Sequence, residues 1–398
     1  MVAEKGKITW LSYLITDVHL HTARALEIMR HMEGLGYSNT MIATSSAKNL
    51  SRTDKNKHLI LIPIRYKSVI SSILFAVAVF FYLPIHLVVA RPNYVIVSAD
   101  VSVFGTIPCA LLEKIFKTKF ILDIRSTPVD TPGLAGSFRK LVFHVSVLIA
   151  RSLFSGLTII TPLMKDQVCS SYKINQNKMG VWSSGVSPDS FKPEKHVIAG
   201  NELKHKFGLE GKFVVFYHGY LSASRGITTT VESIRLLRKK NPDIVLFLLG
   251  SPLYSELEEL LHKEDLNENV IVHPPVAHEE VPRFVSFGDV CIVPLPDIPR
   301  WRFQSPLKLL EYLAMEKAVI VSNIPAHSEV IGTETCGIYL QSVSPSEISE
   351  SIEYAYSNKH RLTEWGKSGR VIIQKKHTWE RSARNLETYL NSIKTVSK

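Results

Sequence analysis

Short runs of β-branched and apolar residues alternate along the chain with stretches whose apolar positions recur every three or four residues. The first half reads KITWLSYLI, TARALEIMRHMEGLGY, TMIAT, HLILIPI, NYVIVSA, KFILDI and LTIIT. The same alternation restarts with KFVVFYHG, TTTVESIRLLRKK, DIVLFLLG, ENVIVHPPV, VCIVPLP, a helix opening near residue 305, and AVIVSNI. Nearly all-apolar strands separated by helices predict parallel sheets covered on both faces. Two Rossmann-like domains follow, which 398 residues suffice to build. Pro, Ser and charge cluster at VSPDSFKPEKH, residues 186–196, so the boundary is placed there, giving domains 1–190 and 191–375 with a final helix over 376–398. Ligands of such sheets bind beyond the carboxyl ends of the strands, and the loops there are the candidate sites.

One pattern breaks the alternation. Residues 69–90, VISSILFAVAVFFYLPIHLVVA, are apolar apart from two serines, a tyrosine and a histidine, with Arg65, Lys67 and Arg91 at the ends. Their length would span a bilayer. The strands on either side should share a sheet, however, and a span would put them on opposite sides of the membrane. The segment is therefore read as a helix, broken in two at Pro84, that either lies wholly inside the domain or also dips into a membrane interface. RKLVFHVSVLIARSLF, residues 139–154, either extends that surface or faces the core.

Charge sharpens this picture. The composition is that of an ordinary globular protein, but residues 1–195 hold 23 Lys and Arg against 12 Asp and Glu, whereas the rest is balanced at 24 and 24. The surplus of +11 thus sits in the first half and suggests an anionic partner: a membrane surface, nucleic acid or a phosphorylated acceptor. Unpatterned solubilising lysine is the alternative. The four cysteines are far apart and form no C-x-x-C pair, which fits buried thiols in a reducing compartment. The apolar run after Lys5 and Lys7 ends at Asp17 and is read as a first strand of a cytosolic protein.

Candidate chemistry concentrates in the second half. A helix opening at Ser305, with Pro306 in its first turn, carries Lys308 where the helix dipole and free N–H groups favour an anion. After KFVVFYHG, a turn of small residues opens a second helix with Arg225 and Gly226 at its start. Each cation alone can snorkel away at a cost of about 0.3–1 kcal/mol. Together they predict two donors around one doubly charged group such as a diphosphate. Glu311, one turn past Lys308, is then an acceptor for sugar hydroxyls, or else a local ion-pair partner of Lys308.

SPLKLLEYLAMEKAVIVSNIPAHSEVI, with VWSSGVSPDSFKP, YHGYLSASRGITTTVESI and PPVAHEEVPRFVSFGDVCIVPLP in order before it, resembles the family-4 retaining glycosyltransferases of the GT-B fold over residues 180–390. HTWERSARNLETYL, residues 377–390, is similar to the final helix that crosses back to the first domain in that fold. The resemblance implies an α/β protein of two Rossmann-like domains facing each other across a cleft. It implies transfer of a sugar, with retention, from a nucleoside diphosphate donor held by Gly219, Arg225, Gly226, Ser305, Pro306, Leu307, Lys308 and Glu311, the last on the ribose. The apolar helix and the basic first half point to a glycan or lipid-linked sugar acceptor at the cytoplasmic membrane surface, with no nucleic acid partner. With the diphosphate neutralised by Arg and Lys and no D-x-D segment in the sequence, no cofactor and no metal are expected.

The chain departs from the family at three places. Phe303 stands where the first acid of the E-x7-E motif belongs, and Tyr220 where the clamp often has an arginine; Lys308, Arg300 and Arg302 are candidates to compensate. The loop ITDVHLHTARALEIM lacks the family's glycines. Its His19, His21 and Thr22 are either plain first-turn residues or line the cleft, and His21 is taken as a catalytic-side candidate. Arg125 occupies the place of an active-site histidine. With Asp123 on the same strand face it forms either a plain ion pair or a group that acts on the donor phosphate or the acceptor. Two further readings remain: a nucleotide-sugar epimerase, and a non-catalytic nucleotide-sugar-binding scaffold.

Overall fold

The computed structural model describes residues 4–13, 20–47, 58–65, 68–128, 133–263 and 266–395, which form two compact units. The first comprises residues 1–184 and 379–398, the second residues 185–378. The boundary thus falls six residues before the predicted 190/191 break, at the close of the first sheet rather than within the Pro-rich stretch that follows it.

In the first unit seven parallel strands run β1 (Gly6–Leu11), β2 (Tyr37–Thr44), β3 (His58–Ile62), β4 (Tyr94–Ser98), β5 (Lys119–Ile124), β6 (Gly156–Ile159) and β7 (Met179–Val181). Their order across the sheet is β3-β2-β1-β4-β5-β6-β7. The order reverses between β1 and β4, where Ile8 pairs with Tyr94 and Leu11 with Val97, and that switch point is where open parallel sheets place their sites. The three-residue β7 is too short for its periodicity to be read from sequence.

The Val69–Ala90 helix joins the parallel strands β3 and β4 of this one sheet as a crossover, from the carboxyl end of β3 to the amino end of β4. It starts in a reciprocal capping box: Ser68 Oγ accepts from the Ser71 N–H at 3.2 Å, and Ser71 Oγ from the Ser68 N–H at 2.8 Å. Contrary to expectation, Pro84 does not break it. The proline removes one internal hydrogen bond, but Val79 and Leu83 before it and His86 and Leu87 after it are all buried on the same stripe, so packing holds both halves in line. His86 also pairs with Thr9 of β1 at 2.9 Å. The opposite face is solvent-exposed and apolar, with Ile70, Phe81, Ile85, Val88 and Val89 each more than 60% exposed.

The Trp379–Thr395 helix packs onto this same unit. Tyr389 is its anchor: its phenol donates to the Lys178 carbonyl at 2.5 Å and accepts from the Leu157 N–H at 3.0 Å. A Cβ at Gly180 would stand 2.2 Å from the Tyr389 ring, so glycine is required for this approach.

The second unit has six parallel strands, β8 (Phe213–Tyr220), β9 (Ile244–Ser251), β10 (Val270–His273), β11 (Val290–Val293), β12 (Ala318–Ser322) and β13 (Gly337–Leu340), in the order β10-β9-β8-β11-β12-β13. The order again reverses at β8/β11, where Val290 pairs with Val215. Phe213 to Tyr217 of β8 are all at most 1% exposed, as expected for a strand covered on both faces. The edge strand β13, GIYL, is only four residues long and was not singled out from the sequence. The four cysteines are free and buried.

Candidate functional site

The richest cluster of polar side chains in the second unit lies at the carboxyl end of β8. The helix predicted to open at Ser305, which follows β11, runs Leu307–Ala314, two residues later than expected. Pro306 has φ −84° and ψ 81°, which is not helical, so it stands at the N-cap position instead of the first turn; Ser305 is buried and makes no side-chain cap. Leu307 and Lys308 therefore begin the helix; the Leu307 N–H donates to the Ser305 carbonyl at 3.1 Å, and that of Lys308 falls among those a helix leaves without internal partners.

Lys308 reaches back to β8. Its Nζ donates to Tyr217 Oη at 2.9 Å and lies 4.3 Å from the centre of that ring. Gly219 lies beside this side chain at φ 117°, a backbone conformation that favours glycine. Burial, and next the Arg225 guanidinium, push the Lys308 ammonium well below its ordinary range, with Glu311 acting the other way. Arg225 is half-buried on the turn after β8, 4.6 Å from the Trp301 ring centre and 6.0 Å from that of Tyr220. Burial lowers its pKa too; Tyr217 opposes that shift by charge and hydrogen bond, and Arg300 adds to it. Tyr217 Oη thus accepts from Lys308 and donates to the Tyr220 carbonyl at 3.1 Å, with Arg225 close enough to feel its charge. Among the described residues neither Arg225 nor Lys308 has a carboxylate within ion-pair distance.

Gly226 caps the Ile227–Leu237 helix at φ 75° and lies against β11's exit, where a Cβ would approach the Pro294 carbonyl oxygen to 2.1 Å. No other residue fits there. Trp301, 3% exposed, fixes the turn from the other side by donating its indole N–H to the Ser224 carbonyl at 2.9 Å.

Glu311 is buried and does not pair with Lys308. Its Oε1 lies 2.8 Å from His278 Nε2, and its Oε2 lies 3.0 Å from His218 Nε2, at ion-pair distance but out of line for a hydrogen bond. Burial disfavours the carboxylate, yet the two imidazoles outweigh it and hold Glu311 at about 2. Tyr312, the next residue, accepts the His218 backbone N–H on its phenol at 2.9 Å. Nearby on the Pro325–Ile331 helix, His327 is fully buried, its Nδ1 2.8 Å from the Ser322 carbonyl and its Nε2 without a partner. Burial pushes its pKa down to about 4, so it is neutral.

The structure thus brings Gly219, Arg225, Gly226, Ser305, Pro306, Leu307, Lys308 and Glu311 into one cluster. Tyr217, His218, Trp301, His278 and His327 belong to it as well, and sequence reasoning missed them. Only His218 had a signal, as the polar residue ending an apolar strand. Of the candidates to compensate for Phe303, Arg302 is paired with Asp297 at 2.7 Å, whereas Arg300 stacks on Trp301 with its guanidinium 4.8 Å from the ring.

In the first unit Asp123 and Arg125 form a two-pronged pair, Nε to Oδ2 at 2.8 Å and Nη2 to Oδ1 at 2.6 Å. Arg125 also donates from Nη1 to the Trp182 carbonyl at 2.8 Å and lies flat on that indole, 3.3 Å from its centre. Thr158 Oγ1 donates to Asp123 Oδ1 at 2.6 Å. The pair lines a cavity of about 70 Å³ at the carboxyl ends of β1, β4 and β5, with Trp10, Ser12, Arg24 and Trp182. Asp100, beside it in the sheet, was not singled out from sequence; burial pushes its carboxyl up to about 6, against hydrogen bonds from Ser102, the Tyr13 N–H and Ser12. Of the catalytic-side histidines, His21 falls in the first turn of the Leu20–Gly34 helix with its side chain outside the described residues, as is the whole of His19.

Residues 201–371 match the family model described as glycosyl transferases group 1. The chain is 23% identical over 254 residues to the putative glycosyltransferase YtcC of Bacillus subtilis, covering 61% of each protein. It is 23% identical to the capsular polysaccharide biosynthesis glycosyltransferase CapM of Staphylococcus aureus, over 73% of this chain and 74% of that one. It therefore spans less than two thirds of the YtcC length. Among solved structures, Anabaena HepE in complex with UDP superposes with a TM-score of 0.74 at 12% identity, over 97% of this chain and 100% of that one. The fold is accordingly GT-B, two Rossmann-like units with the C-terminal helix returned to the first.

Proposed function

We propose that this protein, whose residues 201–371 match the glycosyl transferases group 1 model, is a retaining glycosyltransferase that moves a sugar from a nucleoside diphosphate sugar to a lipid-linked or cell-surface glycan. The observation that carries the reading is the pair Arg225 and Lys308, two cations beside Tyr217 with no carboxylate within ion-pair distance of either among the described residues. Like charges so placed destabilise each other until a dianion arrives, and a donor diphosphate is that dianion. Its charge is then met by side chains, and the reaction is proposed to need no metal.

In this reading the donor ribose hydrogen-bonds Glu311, whose charge the imidazoles maintain, and displaces the half-exposed His278 from Oε1. Transfer breaks the bond from the sugar's anomeric carbon to the diphosphate, whose oxygen keeps the electron pair and takes the acceptor's proton. The acceptor oxygen bonds the same face of the anomeric carbon. Asp123 and Arg125 are assigned to shaping the acceptor side: the guanidinium uses one hydrogen on each of its three nitrogens internally, and the residue lines the cavity. A glycan acceptor is in keeping with CapM's printed role in capsular polysaccharide biosynthesis. The exposed apolar face of the Val69–Ala90 helix supports peripheral contact with the cytoplasmic face of a membrane.

Incubation with a panel of UDP- and GDP-sugars tests the reading. Slow hydrolysis of one donor, abolished in Arg225→Ala, is expected. Isomerised donor would mean an epimerase instead, and binding without any turnover a scaffold.

A further inference from the structure

Three helices of the first unit end at the amino edge of its sheet: Val69–Ala90 leads into β4, Glu113–Phe116 into β5 and Gly133–Leu153 into β6. Apolar side chains stand uncovered at that corner. Leu111 and Ile115 are 64% and 72% exposed, Leu112 is exposed beside them, and Val88 and Val89 are exposed in the last turn of the Val69–Ala90 helix.

Cations are interleaved with these residues. Lys114 lines one open depression of about 450 Å³ together with Leu111, Leu112 and Ile115. Glu113, the acid of that lining, is already met by Lys119 at 3.0 Å. Arg91 closes the Val69–Ala90 helix and Lys117 the Glu113–Phe116 helix, both in the left-handed backbone conformation that usually calls for glycine, at φ 49° and 53°. The segments that follow them are bonded to each other: Thr118 Oγ1 donates to the Pro92 carbonyl at 2.7 Å, and the Lys119 N–H to the Asn93 carbonyl at 2.8 Å. Arg91 and Lys117 are thereby fixed side by side. Among the described residues none of Arg91, Lys114 and Lys117 has a carboxylate within ion-pair distance. The helix dipole favours a cation at a helix end, but it gives no reason for uncovered apolar side chains between three of them.

Apolar groups able to bury, ringed by cations able to stay in the headgroup layer, complement an anionic bilayer surface. Val88 and Val89 also make the corner continuous with the exposed stripe of the Val69–Ala90 helix, so a bilayer that reaches the stripe reaches the corner. We propose that this corner reads the lipid headgroups: Leu111, Leu112 and Ile115 enter the interface, and Arg91, Lys114 and Lys117 bind the phosphates of anionic lipids. The proposal rests on the peripheral membrane contact proposed above and deepens it, because selectivity for anionic lipid then lies in three named cations and not in the diffuse charge of the first half.

The test titrates the full chain with vesicles of phosphatidylcholine alone and of phosphatidylcholine mixed with phosphatidylglycerol. Arg91→Asn, Lys114→Gln and Lys117→Asn together remove the charges, asparagine being tolerant of the left-handed backbone. One basic residue near an anionic surface is worth about a fivefold change in partitioning, so a loss on the order of 100-fold is expected on the mixed vesicles, with binding to phosphatidylcholine unchanged. Should melting show that variant unfolded, Arg91→Asn with Lys114→Gln is read in its place, at roughly a 25-fold loss. Leu111→Ser with Ile115→Ser should weaken binding to both vesicles. Lys206→Gln, Lys239→Gln and Lys263→Gln, exposed lysines of the second unit, give the same net charge and should bind as the wild type does. Equal losses in the two charge variants overturn the proposal, since net charge would then be the cause. A corner variant that binds mixed vesicles as well as the wild type overturns it too, while the contact through the helix stripe stands. Binding of the wild type to neither vesicle overturns the corner and the membrane contact together, and leaves an acidic protein surface as the occupant.

Discussion

Lys308 and Glu311 sit one turn apart on one helix and are perturbed in ways that oppose stability and function differently. Burial and Arg225 disfavour the charged form of Lys308. Replacing it with methionine should raise the unfolding free energy of the ligand-free protein by about 0.5–2 kcal/mol while abolishing nucleotide binding. Denaturant titration and calorimetry on the same variant check both halves; a destabilised variant that still binds would contradict them. Glu311 behaves oppositely. Its carboxyl falls from 4.5 to about 2 on folding, so its contribution, roughly 3 kcal/mol, is fully present above about pH 4.5 and is lost as pH falls towards 2. The stability gap between wild type and Glu311→Gln should therefore close over that window, as urea unfolding at pH 2.5 and pH 6 will read; a constant gap counts against a charged Glu311. The cations at two helix starts were legible because they violate the dipole rule. The phenol and imidazoles were not: Tyr217 and His218 come from a strand and His278 from a distant loop, and only folding brings them to the helix.

At the scale of elements, most strands were legible because parallel strands buried on both faces read as short apolar runs. The misses have physical causes. Pro84 was expected to break its helix, but a stripe buried on both sides of the proline outweighs one lost hydrogen bond. Ser305 looked like a cap, yet Pro306 takes a non-helical ψ and delays the helix to Leu307. The strand β13 depends on pairing with β12 rather than on its own sequence, as Val319 opposite Gly337 shows. The C-terminal helix offers a test at this scale. Tyr389→Phe removes both the donor to Lys178 and the acceptor for Leu157, leaving buried backbone groups unsatisfied at a cost of about 1–3 kcal/mol. Thermal unfolding should fall accordingly, and hydrogen exchange should speed first in residues 379–395; unchanged exchange there would show that the phenol does not anchor the helix.

For the whole molecule, the uneven charge and the apolar helix face point the same way. The surplus of positive charge in the first half of the chain accompanies an exposed apolar stripe on the Val69–Ala90 helix, which with the Gly133–Leu153 helix is long and apolar enough to cross a membrane by length and composition alone. Continuity of β3 and β4 in one sheet favours lying on the surface instead. Wild-type protein should float with anionic vesicles, and Ile70, Phe81, Ile85 and Val89 all changed to serine should stay at the bottom of the gradient with unchanged melting. Flotation of that variant would place the contact elsewhere. The nucleotide site in the second unit is independent of that outcome, and the account stands or falls on it. Isothermal titration of UDP and of GDP into wild type and into Arg225→Ala, Lys308→Ala is the most direct measurement. Saturable binding of one nucleotide by the wild type, weakened about 100-fold or more in the double variant, is the predicted result; equal affinity in both proteins would contradict the diphosphate clamp.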